Sequence, residues 1–144
     1  MKVIEAKKPK DWLGGAWVII LDKKKENVLM AKRSSLVNNP GAWNFFGGNI
    51  DSGELARDTA VRETFEESGL TFRPDQMKML YQEKDRFFYY VTVKKEKVEK
   101  NLRLNNEHTE AKWFSLQELP KKVNNPTAIV MKSSELRKLV KKVR

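Results

Sequence analysis

The stretch from Leu55 to Ser68, LARDTAVRETFEES, constrains the fold of this chain more than any other. It reads as a helix, with Gly69 placed as its stop. At about 100° per residue, Glu63, Glu66 and Glu67 fall within an arc of roughly 100° on its surface. Like charges three and four residues apart repel one another, so that side of the helix calls for a neutralising partner. Ala56, Thr59 and Ala60 share or border the arc and are small, which lets another group approach closely. Val61 and Phe65 lie well round the helix and are expected to anchor it to a core.

Around this helix the chain reads mostly as strands. Ala16 to Asp22 (AWVIILD) and Val28 to Arg33 (VLMAKR) form a predicted hairpin across a polar connection. Ser34 to Gly41 is a loop by its Asn, Pro and Gly content. A short apolar piece, Trp43 to Phe46, is closed by Gly47 and Gly48. Phe87 to Val93 (FFYYVTV) is the strongest strand signal, rich in aromatic and β-branched residues. Met77 to Gln82 and Lys112 to Phe114 are weaker ones. Ser115 and Glu118 have capping-box spacing for a short helical turn ended by Pro120. Asn125 and Pro126 read as N-cap and first position of a final helix, in which Leu136, Leu139, Val140 and Val143 recur at helical spacing. Strands mixed with two substantial helices predict an α/β domain with a mixed sheet.

The residue inventory narrows the chemistry. With no cysteine and a single histidine, His108, thiolate nucleophiles, disulfides and Cys- or His-based metal sites are all excluded. Clustered carboxylates without such partners suit Mg²⁺ or Mn²⁺ rather than zinc or copper. The formal charge of +10 favours polyanionic partners such as nucleotides or nucleic acid. Much of it, however, sits in Lys23 to Lys25, Lys94 to Arg103 and Lys132 to Arg144, segments that read as solvated periphery. No stretch is long and apolar enough to suggest a membrane span, and no cleavable signal is visible, so the cytoplasm is the expected compartment.

The segment GGNIDSGELARDTAVRETFEESGL resembles the Nudix hydrolase family (MutT-like), whose signature is G-x5-E-x7-R-E-U-x-E-E-x-G-U with U a bulky apolar residue. Gly48, Glu54, Arg62, Glu63, Glu66, Glu67, Gly69 and Leu70 match it. Thr64 departs from it at the first U position, where its methyl can pack and its hydroxyl can bond back within the helix. A second departure is Phe45-Phe46 before the glycines, where many members have Leu-Pro. Arg33, Trp43 and the segment WFSLQELP extend the resemblance over most of the chain.

The resemblance implies one Nudix domain over residues 1–144, an α/β/α sandwich with a central mixed sheet. It also implies hydrolysis of a nucleoside diphosphate linked to another group. By the same resemblance Glu63, Glu66 and Glu67 coordinate Mg²⁺ or Mn²⁺ with the Gly47 carbonyl, while Glu54 and Arg62 form an ion pair that orients them. Glu67 is a candidate general base. A loop acid before the late Trp strand is another, and Glu107 is preferred to Glu110. Arg33 is expected on phosphate, Gly48 in the loop near substrate, and Phe45 among the aromatics that could stack on a ring. The expected partner is a small nucleotide; 5′-end processing of RNA and a non-catalytic nucleotide-binding module are the alternatives. No membrane partner is implied, and a homodimer is allowed because family members are often dimers.

Overall fold

A computed structural model describes residues 12–141. Among them, strands β1 (Gly15–Asp22), β2 (Asn27–Arg33), β3 (Trp43–Asn44), β4 (Phe46–Asn49), β5 (Lys78–Glu83), β6 (Arg86–Val93) and β7 (His108–Ser115) alternate with four helices: α1 (Ala56–Ser68), α2 (Lys95–Asn101), α3 (Asn125–Met131) and α4 (Ser134–Lys141). The seven strands form one mixed sheet with the path β3-β2-β1-β6-β5, β4 pairing β1 and β7 pairing β2.

β1 is buried at all eight positions, as expected of a strand covered on both faces. Its alternating side chains serve two cores. Ala16, Val18 and Ile20 join Phe46, Ala60, Tyr89, Val91 and Val98 beneath α1 and α2, while Trp17, Ile19 and Leu21 join Phe45, Phe88, Val130, Leu136 and Leu139 beneath α3 and α4. The sheet is thus the middle layer of an α/β/α sandwich, as the sequence implies. β2 pairs β1 only at Ile20–Leu29 and Leu21–Val28, whereas the first half of β1, Gly15 to Val18, pairs β4. The two long strands therefore fork, and the glycine-containing β4 fills the fork directly under α1.

Several sequence expectations need correction. Phe65 does not anchor α1, because it is 55% exposed; the buried face is Thr59, Ala60, Thr64, Glu67 and Ser68, small or polar residues that let the helix lie close to the sheet. Gly47 and Gly48 sit within β4 rather than ending a strand. The Ser115 capping box forms only a turn, with Glu118 N–H donating to the Ser115 carbonyl at 3.0 Å. The N-cap of α3 is Asn124, whose side chain accepts from Thr127 N–H at 3.3 Å, one residue before the expected cap. The final helical region is two helices, split at Lys132 and Ser133. Leu136 and Leu139 pack as predicted; the side chain of Val140 and the whole of Val143 fall outside the described residues. Helix α2, rich in lysine, carries too little apolar periodicity to be read from sequence.

Thr64 is fully buried and its Oγ1 has no hydrogen-bond partner among the described residues, so the hydroxyl does not bond back as expected. An orphaned buried hydroxyl costs about 1 kcal/mol or more. Thr64→Val keeps the shape and removes the orphan. It is expected to raise the melting temperature by about 3 °C; a drop on thermal unfolding would show that the hydroxyl is paired.

Candidate active site

α1 and β4 bring the predicted acidic group to the floor of a cleft of about 780 Å³, whose lining includes Gly47, Gly48, Glu63, Glu67, Glu107 and Arg33. Close approach explains the glycines. A Cβ on Gly48 would lie 2.5 Å from the Glu63 carboxyl group, and one on Gly47 would lie 2.3 Å from the Ala16 carbonyl oxygen. Neither position has room for a side chain.

The glutamates do not all converge. Glu63 and Glu67 face the cleft within hydrogen-bonding reach of each other, and Gly47 N–H donates to Glu67 Oε1 at 3.3 Å. Glu67 is only 4% exposed. Burial, then the charges of Glu63 and Glu107, push its carboxyl well above the ordinary carboxylate range. Burial also raises Glu63, against the opposing pull of Arg62. Glu66 lies on the outer side, half exposed, 3.2 Å from Arg62 Nη1. Among the described residues no three acidic or imidazole side chains surround one point.

Arg62 is the hub of this layer. Its Nε and Nη2 fork onto the two Glu54 oxygens at 2.8 and 3.0 Å, Nη2 also donates to the Asn49 carbonyl at 3.2 Å, and Nη1 donates to Glu63 Oε2 at 2.8 Å. Thr59 Oγ1 and Asp51 N–H donate to the same Glu54 carboxylate at 2.7 and 3.1 Å. The Arg62 hydrogen bonds, with those from Thr59 and Asp51, hold Glu54 down at about 2. The guanidinium therefore ties the loop Asn49 to Glu54 to the helix and fixes the Glu63 carboxylate from behind.

This donor set fits a small divalent cation. It is made of hard oxygens, and Glu67 is a buried acid that makes no ion pair among the described residues. The glycine cradle leaves open the space a Cβ would fill. Two adjacent carboxyls, one of them buried, are an arrangement that a divalent cation neutralises.

The remaining sequence candidates divide. Glu107 lines the cleft, whereas Glu110 is exposed within β7, paired with Lys32. Arg33 also lines the cleft, with three of its five N–H donors engaged: Nε to the Asn38 carbonyl at 2.7 Å, Nη1 to Asn44 Oδ1 at 3.1 Å, and Nη2 to Asn38 Oδ1. It braces the loop that follows β2. Phe45 is a core residue, 1% exposed, with an edge on the cleft.

Sequence reasoning missed Asn44, Trp12, Trp17, Arg86 and Asn125. All five line the cleft; Trp17 pairs Gly47 across β1 and β4, and the Arg86 guanidinium lies 5.7 Å from the Trp12 ring centre. In the sequence Trp12 and Trp17 carry no motif, and Arg86 is only the charged residue ahead of the aromatic run from Phe87. His108 is a buried residue opening β7. Its Nε2 lies 3.2 Å from Asn44 Oδ1, which also accepts from Arg33, so Nε2 carries the proton and Nδ1 is left without a partner.

Burial, then the charge of Arg33, lowers His108 to about 4. Because the folded value is below the unfolded one, its contribution is complete above about 6.5 and is lost as pH falls towards 4. Glu54 acts with the same sign between 4.5 and about 2. The raised Glu67 and Glu63 act with the opposite sign, so the variant isolates the histidine: on acidification from pH 6.5 to 4.5 wild type is expected to lose more stability than His108→Gln. Equal slopes for wild type and variant in urea titrations at pH 6.5 and 4.5 would contradict the assignment.

Among the described residues no helix is long and apolar enough to cross a membrane. Residues 12–133 match the NUDIX domain family. A Bacillus subtilis (strain 168) protein named "Putative 8-oxo-dGTP diphosphatase" is 40% identical over 55 residues, 38% of this chain and 34% of that protein, so the match spans about a third of the relative's length. A MutT NUDIX hydrolase from Burkholderia pseudomallei superposes with a TM-score of 0.65 at 21% identity, covering 81% of this chain and 93% of that one. A C. elegans Ap4A hydrolase does so at 0.52 and 23%, covering 89% and 93%. At these identities the structural likeness speaks for the fold.

Proposed function

We propose, from the premise that the chain belongs to the NUDIX family, that it is a divalent-metal-dependent pyrophosphohydrolase with a single catalytic domain, cleaving a nucleoside diphosphate linked to another group. The observation that carries this reading is the pairing of Glu63 with buried Glu67 at the floor of the cleft, against a glycine that leaves them room. The names of relatives, an 8-oxo-dGTP diphosphatase and an Ap4A hydrolase, both concern nucleotides whose phosphates are joined by anhydride bonds.

Glu63 and Glu67 would hold the Mg²⁺ or Mn²⁺, with the Gly47 backbone beside them, and Glu66 would join them only on leaving Arg62. When bound, such an ion offsets the charge of the diphosphate and eases loss of a proton from water. Arg62 keeps Glu63 aimed at the cleft while Glu54 holds Arg62. Glu107 is the acceptor for the water's proton, being the remaining cleft carboxylate close enough to raise Glu67 by its charge. Trp12 and Arg86 supply a flat face and a guanidinium for a nucleobase.

The experiment is a panel of nucleoside triphosphates, nucleoside diphosphate sugars, dinucleoside polyphosphates and triphosphorylated RNA, with and without Mg²⁺, products identified chromatographically. Metal-dependent release of a nucleoside mono- or diphosphate is expected. Tight nucleotide binding without product across the panel would favour a binding module instead.

A further inference from the structure

A second chamber of about 380 Å³ adjoins the cleft and shares two residues with it, Arg86 and Asn125. It lies between the β5–β6 hairpin and α3, lined otherwise by Tyr81, Glu83, Ala128, Ile129, Lys132 and Ser133. At about 780 Å³ the main cleft is already within the range that encloses a drug-sized ligand, so the chamber is room for something further. Its polar groups are mixed in kind. Tyr81 Oη donates to Glu83 Oε1 at 3.0 Å, leaving the other Glu83 oxygen as an acceptor, while Asn125, Arg86 and Lys132 provide donors. The Arg86 Nε is buried with no partner among the described residues, so the donors Arg86 offers to a ligand are its terminal nitrogens, which make no hydrogen bond among the described residues.

A phosphate offers acceptors only, and the Glu83 carboxylate repels it. Hydroxyl groups donate and accept at once, and so suit both kinds of neighbour. Tyr81, Ala128 and Ile129 add the apolar surface that a ring covers. We propose that the chamber binds a hydroxylated ring carried by the substrate beyond the nucleotide in the main cleft. The preferred substrate is then a nucleoside diphosphate joined to a sugar-type group, not a bare triphosphate; this rests on the hydrolytic reading above.

Calorimetric titration of the wild-type protein with ADP-ribose and with ADP, without added divalent cation, tests the chamber apart from turnover. ADP-ribose is expected to bind about tenfold more tightly than ADP, equivalent to about 1.4 kcal/mol. Ala128→Phe, which fills the chamber, should bring that ratio close to one. Lys132→Ala, at an exposed position that does not threaten folding, should lower it by about threefold. Equal wild-type affinities overturn the proposal, as does a wild-type ratio in both variants with circular dichroism confirming that they are folded. If the affinity difference holds and yet Mg²⁺ yields no product, the chamber stands and the hydrolytic reading falls.

Discussion

Glu67→Gln is expected to abolish most turnover while making the metal-free protein more stable. The two effects have one cause. Glu67 is almost wholly buried beside Glu63, and burial followed by neighbouring negative charge drives its carboxyl upward. A group whose folded value is raised stabilises fully below its unfolded value and loses that contribution as pH rises through the folded value. Near neutral pH, without a cation, the pair therefore works against folding, and an amide removes the burden. The melting temperature of metal-free Glu67→Gln should exceed that of wild type at pH 8, with the gap closing as the pH is lowered to 4. Activity should fall by more than the ~10–100-fold typical of residues that only support a ligand. Added Mn²⁺ should stabilise wild type by mass action and the variant much less. Near-normal turnover, or a variant less stable than wild type at pH 8, would refute this account of the acidic pair.

Arg62→Met should give the largest loss of stability among single changes at the site. The side chain is 29% exposed and touches Glu54, Glu63, Glu66 and Asp51 together with the Asn49 carbonyl. Removing one partner of a largely buried ion pair costs about 3 kcal/mol, because the charge left behind keeps its desolvation penalty. Here Glu54 is left behind, with Thr59 and the Asp51 N–H as its remaining donors among the described residues. For a domain of this size that corresponds to a fall of about 10 °C. Turnover should drop too, since the Glu63 carboxylate loses the donor that aims it. Arg62→Lys keeps the charge without the fork and should recover only part of both. In Glu54→Gln the arginine's removal should cost distinctly less, a coupling readable from a double-mutant cycle. Full additivity would mean that the pair is a surface contact of little consequence.

The parts of this molecule legible in its sequence are those set by local periodicity and by fixed spacing. Gly69 stops α1 in the left-handed region at φ 76, and the aromatic run from Phe87 is the core of β6. The spacing of Gly48, Glu54, Arg62, Glu63 and Glu67 is the sequence signal that accompanies the Arg62–Glu54 fork and the glycine cradle. What periodicity cannot convey is which side of a helix the tertiary structure buries. α1 lies on the sheet through Thr59, Ala60, Thr64 and Glu67 and leaves Phe65 in solvent, because the close approach to β4 that the site needs admits only small or functional side chains. For the same reason Glu66, one residue from Glu67, belongs to the outer Arg62 network. The bracing of Arg33 by Asn38 and Asn44 is likewise not legible, since no spacing rule pairs an arginine with loop asparagines. Trp12 and Trp17, Arg86, and Asn125 come from three separate segments, and the pairing of β1 with β6 and the placement of α3 bring them to one cleft.

The central claim is that Glu63 and Glu67 seat a divalent cation at the floor of the cleft. Manganese titration followed by electron paramagnetic resonance reads it directly, in wild type, Glu66→Gln and the double variant Glu63→Gln/Glu67→Gln. The account predicts a bound signal in wild type, a weakened one in Glu66→Gln, and free aqueous manganese alone in the folded double variant. Wild-type binding by the double variant would contradict it.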